Sequence, residues 1–187
     1  MIKTALIIVD MQNDYFPGGK WKLTNIETAA EKTSLILNHF RENSLPIIYV
    51  RHESLSPGAP FFTPGSEGAE IHKSLKPLDG EFEVLKHTPN GFKDTKLQNL
   101  LQSQGITNLV MAGAMSHMCI DAIIRASADL GYKNIVLHDA CATCDLEFDG
   151  TTIPASLVHA SFMAAAAFAY AEVIKTESLL ARSELED

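Results

Sequence analysis

Residues 5–10 read Ala-Leu-Ile-Ile-Val-Asp, and the chain continues Met-Gln-Asn-Asp-Tyr-Phe-Pro-Gly-Gly to Gly19. An unbroken apolar run of strand length, with no polar alternation, is the pattern of a strand covered on both faces. The Asn, Asp, Pro and Gly that follow are turn formers, so the run stops at Asp10. Strands covered on both faces belong to sheets with helices above and below. That expectation sets how the remaining periodicity is read.

Outward from this strand, Asn25 to Asn43 reads as a helix whose apolar stripe is Ile26, Ala29, Ala30, Thr33, Leu37 and Phe40. Pro46 precedes IIYV, residues 47–50, a second buried strand. Arg51 to Gly68 is rich in Pro, Gly and Ser and has no periodicity; loops of that length commonly carry function. Phe82 to Lys86 is a third, weaker strand, and Asp94 or Thr95 caps a short helix through Leu101 that Gly105 stops. NLVMA, residues 108–112, is a strand, His117 to Leu130 a helix closed by Gly131, and NIVLH, residues 134–138, another strand. Pro154 opens an Ala-rich helix to about Phe168, and Ala171 to Lys175 is the last strand. The tail from Ser178 to Asp187 reads as a surface helix or a frayed end.

Strands alternating with helices imply right-handed crossovers. The expected fold is therefore α/β: a doubly wound, mainly parallel six-stranded sheet with helices on both faces, in three layers. No repeat and no low-complexity linker interrupts the 187 residues, so residues 1–187 are read as one domain.

Composition narrows the function classes. A formal charge of -8 argues against nucleic acid as a partner, because phosphate binding needs clustered Lys and Arg. No apolar stretch approaches bilayer-spanning length, and residues 5–9 are too short for the apolar core of a secretory signal, so neither membrane nor export is expected. Three cysteines, an odd number, fit a reducing compartment better than a disulfide framework. A cytoplasmic location follows as the expectation.

In doubly wound sheets ligands bind beyond the carboxyl ends of the strands, near the point where strand order reverses. Asp10 closes the first strand, Lys86 closes the third, and Cys119 follows the fourth after the turn Gly113-Ala114-Met115-Ser116. Ser116 is a candidate N-cap, which places Cys119 in a first helical turn where the helix dipole favours a thiolate. With Lys86 adding its charge, Cys119 is expected to be the most reactive of the three thiols. Each residue also has a plain structural reading: a turn-forming Asp, a small core Cys, a surface Lys. Their shared location at strand ends weighs toward chemistry.

The segments IIVDMQNDYF (residues 7–16), LKHTPNGF (residues 85–92), GAMSHMCIDAIIRASADLGY (residues 113–132) and DACAT (residues 139–143) together resemble the isochorismatase-like cysteine hydrolases. The likeness runs in order from Ala5 to about Val173. It implies a catalytic set of Asp10, Lys86 and Cys119, in which Asp10 accepts the thiol proton, Lys86 supports the anionic state and the thiolate attacks a carbonyl carbon. It also implies an oxyanion site at the Met115 and Cys119 amides, and a cis peptide between Ala114 and Met115. Family members that cleave isochorismate's vinyl ether generally lack this cysteine, so amide or ureido C–N hydrolysis is the expected reaction, vinyl-ether cleavage the alternative. The nicotinamidase branch binds a metal through an Asp-x-His element after the second strand. Arg51-His52-Glu53 stands there instead, so although His52 and His72 remain, neither metal nor cofactor is expected.

The remaining candidates lie around this set. Tyr15, Phe16, Trp21, Phe61 and Phe62 sit in loops expected to rim the site, with Tyr15, Phe16, Phe62 and His117 as substrate-binding candidates. The same aromatics would serve equally as a subunit contact, and the resemblance implies a homo-oligomer whose partner loops complete the pocket. Cys141-Ala-Thr-Cys144 is a lone CxxC, a weak zinc signal that reads as structural. His138 and His159 read as structural histidines. The expected partner is a small molecule. Two rival classes are a non-catalytic metabolite-binding protein and a redox protein pairing Cys119 with Cys141 or Cys144.

Overall fold

The computed structural model describes residues 3–182. In chain order its main elements are β1 (Thr4–Val9), α1 (Ile26–Glu42), β2 (Ile47–His52), β3 (Phe82–Lys86), α2 (Leu97–Ser103), β4 (Asn108–Ala114), α3 (Asp121–Asp129), β5 (Lys133–Ala142), β6 (Leu146–Phe148), β7 (Thr151–Ile153), α4 (Ala155–Ala169), β8 (Glu172–Ile174) and α5 (Thr176–Leu180). Of the expected C-terminal tail, residues 183–187 lie outside the described residues.

Six strands form one sheet in the order β3-β2-β1-β4-β5-β8, and every neighbouring pair is parallel. The expected six-stranded sheet with helices on both faces is the observed fold. Strand order reverses between β1 and β4, so the crevice at their carboxyl ends is where a ligand is expected. All six residues of β1 are buried, as the unbroken apolar run requires. Leu6 and Ile8 pack with Ile26, Ile36, Leu37 and Phe40 of α1 on one face. Ala5, Ile7 and Val9 point the other way, toward Leu97 of α2, Ile123 of α3 and Met163 of α4. The period of two along the strand thus feeds two separate cores.

Two features differ from the sequence reading. β5, expected to end at His138, runs on to Ala142 through a register shift opposite Met111 and Gly113. The antiparallel hairpin β6–β7 was not expected; Asp149 and Gly150 take positive φ at its tip, the left-handed conformation that a two-residue hairpin loop needs. Among the described residues no helix is long and apolar enough to cross a membrane.

Candidate active site

Four strand ends deliver the site. β1 releases the chain at Asp10, whose φ of 50° is tolerated by Asp better than by most side chains, and whose N–H donates to the Val50 carbonyl at 2.8 Å. β2 ends on His52, which pairs in register with Lys86 at the end of β3. β4 approaches β1 so closely that a Cβ on Gly113 (φ 134°) would lie 2.0 Å from the Val9 carbonyl oxygen, which is why glycine stands there. Beyond it the Ala114–Met115 peptide is cis, and a π-type turn, Ser116–Ile120, carries Cys119 into α3. The Met118 and Ile120 amides both turn back onto the Met115 carbonyl, at 3.0 and 3.2 Å.

The structure brings Asp10, Lys86 and Cys119 together around one atom. Lys86 Nζ donates to Asp10 Oδ2 at 2.8 Å, to Cys119 Sγ at 3.2 Å and to His52 Nδ1 at 2.8 Å. An ammonium has three N–H donors, and all three are used. Lys86 has no exposed surface at all. A buried ammonium is tolerable only when paired and hydrogen-bonded, and here it is both. Asp10 Oδ1 is buried without a hydrogen-bond partner among the described residues. A carboxylate oxygen left open beside a thiol is suited to receive its proton.

The electrostatics separate the groups. Burial works against the Lys86 charge, but the Asp10 carboxylate and the neighbouring sulfur outweigh it and raise its pKa. Burial pushes the Cys119 thiol well up, Asp10 adds to this, and Lys86 opposes it without prevailing. The expectation that helix onset favours a resting thiolate therefore gives way. The residue is desolvated, and the one nearby cation is already neutralised by Asp10, so the resting thiol keeps its proton. The Ser116 cap also differs: Met115 holds the N-cap position, and the Ser116 hydroxyl contacts His159 Nδ1 at 2.8 Å.

His52 is the participant that sequence reasoning passed over. The sequence read its strand as ending at Val50, so the strand-end rule pointed to Arg51; the strand runs two residues further and ends on His52. The Gln12 side chain fixes its backbone from both sides, donating to the His52 carbonyl and accepting from its N–H, each at 2.7 Å. Burial, then the Lys86 charge, lowers its pKa to about 4. Asp10, His52 and Cys119 place one potential ligand atom each within 4.8 Å of one another, a set that could hold a cation. Lys86 Nζ stands within hydrogen-bond distance of all three, where such a cation would sit. The donor set therefore fits an ammonium centre better than a metal centre.

A cavity of about 120 Å³ opens onto Cys119, lined by Tyr15, His52, Ser54, Phe61, Phe62, Met115 and three further apolar residues. Tyr15 and Phe62 thus stand where the sequence placed them, their rings 4.5 Å apart. Asp14 holds this wall, because its Oδ2 accepts from the Phe62 N–H at 2.7 Å and ties the β1 loop to the long loop. Phe16 and His117 are corrected. Phe16 stacks flat on His72, 3.8 Å between ring centres, beside a separate, larger groove of about 870 Å³ that contains no member of the Lys86 cluster. His117 is turned to Thr143 Oγ1 at 2.6 Å and to the Phe162 ring, and does not line the cavity. Trp21 lies behind the wall, against Phe61. Cys141 is buried and Cys144 half-buried, and no third ligand joins them among the described residues.

Comparison with known proteins agrees across sequence and structure. A model described as the isochorismatase domain matches residues 4–177. The chain is 47% identical over 177 residues to the uncharacterised isochorismatase family protein YddQ of Bacillus subtilis, covering 95% of this chain and 98% of that one. A streptothricin hydrolase of Streptomyces noursei is 30% identical over 82% of this chain and 55% of its own length. A crystal structure described as an isochorismatase hydrolase from Oleispira antarctica superposes with a TM-score of 0.93 at 52% identity, covering 96% of this chain and 97% of that one.

Proposed function

The chain belongs to the isochorismatase family of hydrolases, and within it we propose a cysteine-dependent enzyme that cleaves a C–N bond of a small, uncharged amide or ureido compound through a Cys119 thioester. The observation that carries this reading is the Lys86 ammonium, hydrogen-bonded at once to Asp10 and to Cys119 beneath a cavity that opens onto the thiol.

The steps follow from the charges. Substrate enters with its carbonyl carbon against Cys119 Sγ. Asp10 takes the thiol proton as sulfur attacks, so negative charge forms only when an electrophile is present. Lys86 holds the sulfur and the carboxylate in place and offsets the charge that moves between them. The carbonyl π electrons move to oxygen, and we assign the Met115 and Cys119 amides as the donors to that oxyanion. As the tetrahedral adduct collapses, the C–N bond breaks and the nitrogen leaves with the proton from Asp10. Asp10 then accepts a proton from water, the hydroxide displaces sulfur, and the thiol regains that proton.

Uncharged substrates are favoured by what lines the cavity, which includes no Lys or Arg. Arg51, the residue before the lining His52, is committed to Glu53 at 2.7 Å and Glu83 at 2.6 Å. A multiply charged acid such as isochorismate would have to bury carboxylates without partners, which is costly.

The test is a panel of small primary amides, ureido compounds and isochorismate, with ammonia and pyruvate followed separately. Ammonia release that disappears in Cys119→Ala, with an acyl adduct on Cys119 seen by mass spectrometry, is the expected result. Pyruvate from isochorismate with no ammonia from any amide would replace this reading with vinyl-ether hydrolysis.

A further inference from the structure

The cavity that opens onto the thiol is lined by two side chains whose hydrogen-bond donors the fold leaves unused. Tyr15 is 1% exposed and fixed by the Phe61 and Phe62 rings at 5.5 and 4.5 Å, yet its hydroxyl has no hydrogen-bond partner among the described residues. The second donor follows from the chemistry of Lys86. An ammonium can only donate, so His52 Nδ1, 2.8 Å from it, must be the unprotonated ring nitrogen. In the neutral ring the proton is then on Nε2, which likewise has no partner among the described residues. Burial holds His52 neutral and keeps the Tyr15 phenol protonated, its pKa raised by desolvation and then by Asp10.

Among the described residues Asp10 Oδ1 is the sealed polar atom without a partner, so these two donors keep accessible surface and open onto the cavity, whereas the neighbouring Gln12 uses both ends of its amide and Asp14 both its carboxylate oxygens. Two open donors in one small cavity, with no basic residue beside them, describe a binding site for a neutral acceptor.

We propose that Tyr15 Oη and His52 Nε2 form a donor pair that receives a second oxygen of the substrate, one that is not part of the scissile group. The substrate class is then a small, uncharged amide bearing a further carbonyl or ether oxygen a few bonds from the reacting carbon. The proposal rests on the amide reading above for the identity of the scissile group. The donor pair itself rests on geometry. His52 is, in addition, a positioning residue, because the same ring that donates to substrate accepts from Lys86.

Acetoacetamide and isovaleramide separate the two ideas, having the same heavy-atom count and branching but differing in the second oxygen. Binding of each is measured calorimetrically to the Cys119→Ala protein, with and without Tyr15→Phe, and turnover of each is measured in the Cys119 protein. The expected result is at least tenfold tighter binding of acetoacetamide, a preference that Tyr15→Phe reduces to within about threefold while isovaleramide binding stays unchanged. Equal or undetectable binding of the two amides, or a preference that survives Tyr15→Phe, overturns the donor pair. Preferential binding without ammonia release from the Cys119 protein would instead leave the donor pair standing and remove the amide reading.

Discussion

Lys86 and Asp10 lie 76 residues apart in sequence and meet at 2.8 Å with no part of either side chain exposed to solvent. This ion pair joins the outermost strand of the sheet to one beside the switch point. Its burial makes it a structural commitment as well as a chemical one. Lys86→Met leaves the Asp10 carboxylate buried and uncompensated, and should destabilise the protein by about 3–5 kcal/mol in urea melts. Adding Asp10→Asn, a side chain that tolerates the positive φ, removes that charge and should restore more than half of the loss. Lys86→Met as stable as the parent protein would show that the pair is not held as described.

Thiol chemistry should follow exposure in the absence of substrate. Cys119 is buried and its thiol is pushed up, whereas Cys144 is half-buried. Limited iodoacetamide followed by peptide mass mapping should label Cys144 first. A carbonyl electrophile that fits the cavity should reverse the order. Rapid labelling of Cys119 by iodoacetamide alone would mean a resting thiolate.

His52 titrates at about 4 in the fold and near 6.5 in an unfolded chain, so between these values the unfolded state binds more protons. Stability should therefore fall as pH falls through that window and recover as pH rises above it. The lowered pKa values of His72, His117 and His159 act in the same direction. Melting temperatures taken from about pH 7 down to about pH 5 should show the decline, and His52→Gln should flatten part of it. An unchanged slope in that variant would show that His52 is not held neutral.

The aromatic wall depends on a residue far from the chemistry. A Cβ on Gly68 would sit 2.2 Å from Asp14 Oδ1, the carboxylate that holds the Phe62 amide. Gly68→Ala should displace Asp14, loosen Phe62 and raise KM several-fold with a smaller change in kcat. Steady-state kinetics on the best amide of the panel checks this, and an unaltered KM would detach Asp14 from the pocket.

Metal removal should leave activity intact, because Lys86 Nζ stands among the only three side chains that group as possible ligands among the described residues. Turnover after chelation and dialysis, with elemental analysis of the protein, is the measurement. Activity restored only by an added divalent cation would place a metal where the ammonium is described.

Much of this protein was legible in its sequence because the signals are local. The period of the apolar residues, the caps and the glycine stops gave six parallel strands and their helices, and the position of a polar residue after each strand marked Asp10 and Lys86. His52 was not marked by it, because the apolar run stops at Val50 and pairing with β3 carries the strand on to His52. Three matters were decided only by tertiary structure. Whether a loop aromatic faces a cavity depends on which distant side chain reaches it first: Asp14 draws Phe62 to the wall, while His72 takes Phe16 away. Whether Cys119 rests as thiol or thiolate depends on desolvation and on how far Asp10 has neutralised Lys86, sums over groups far apart in the chain. And the two unused donors of Tyr15 and His52 exist only as the remainder after every other hydrogen bond is made, a quantity that no local stretch of sequence contains.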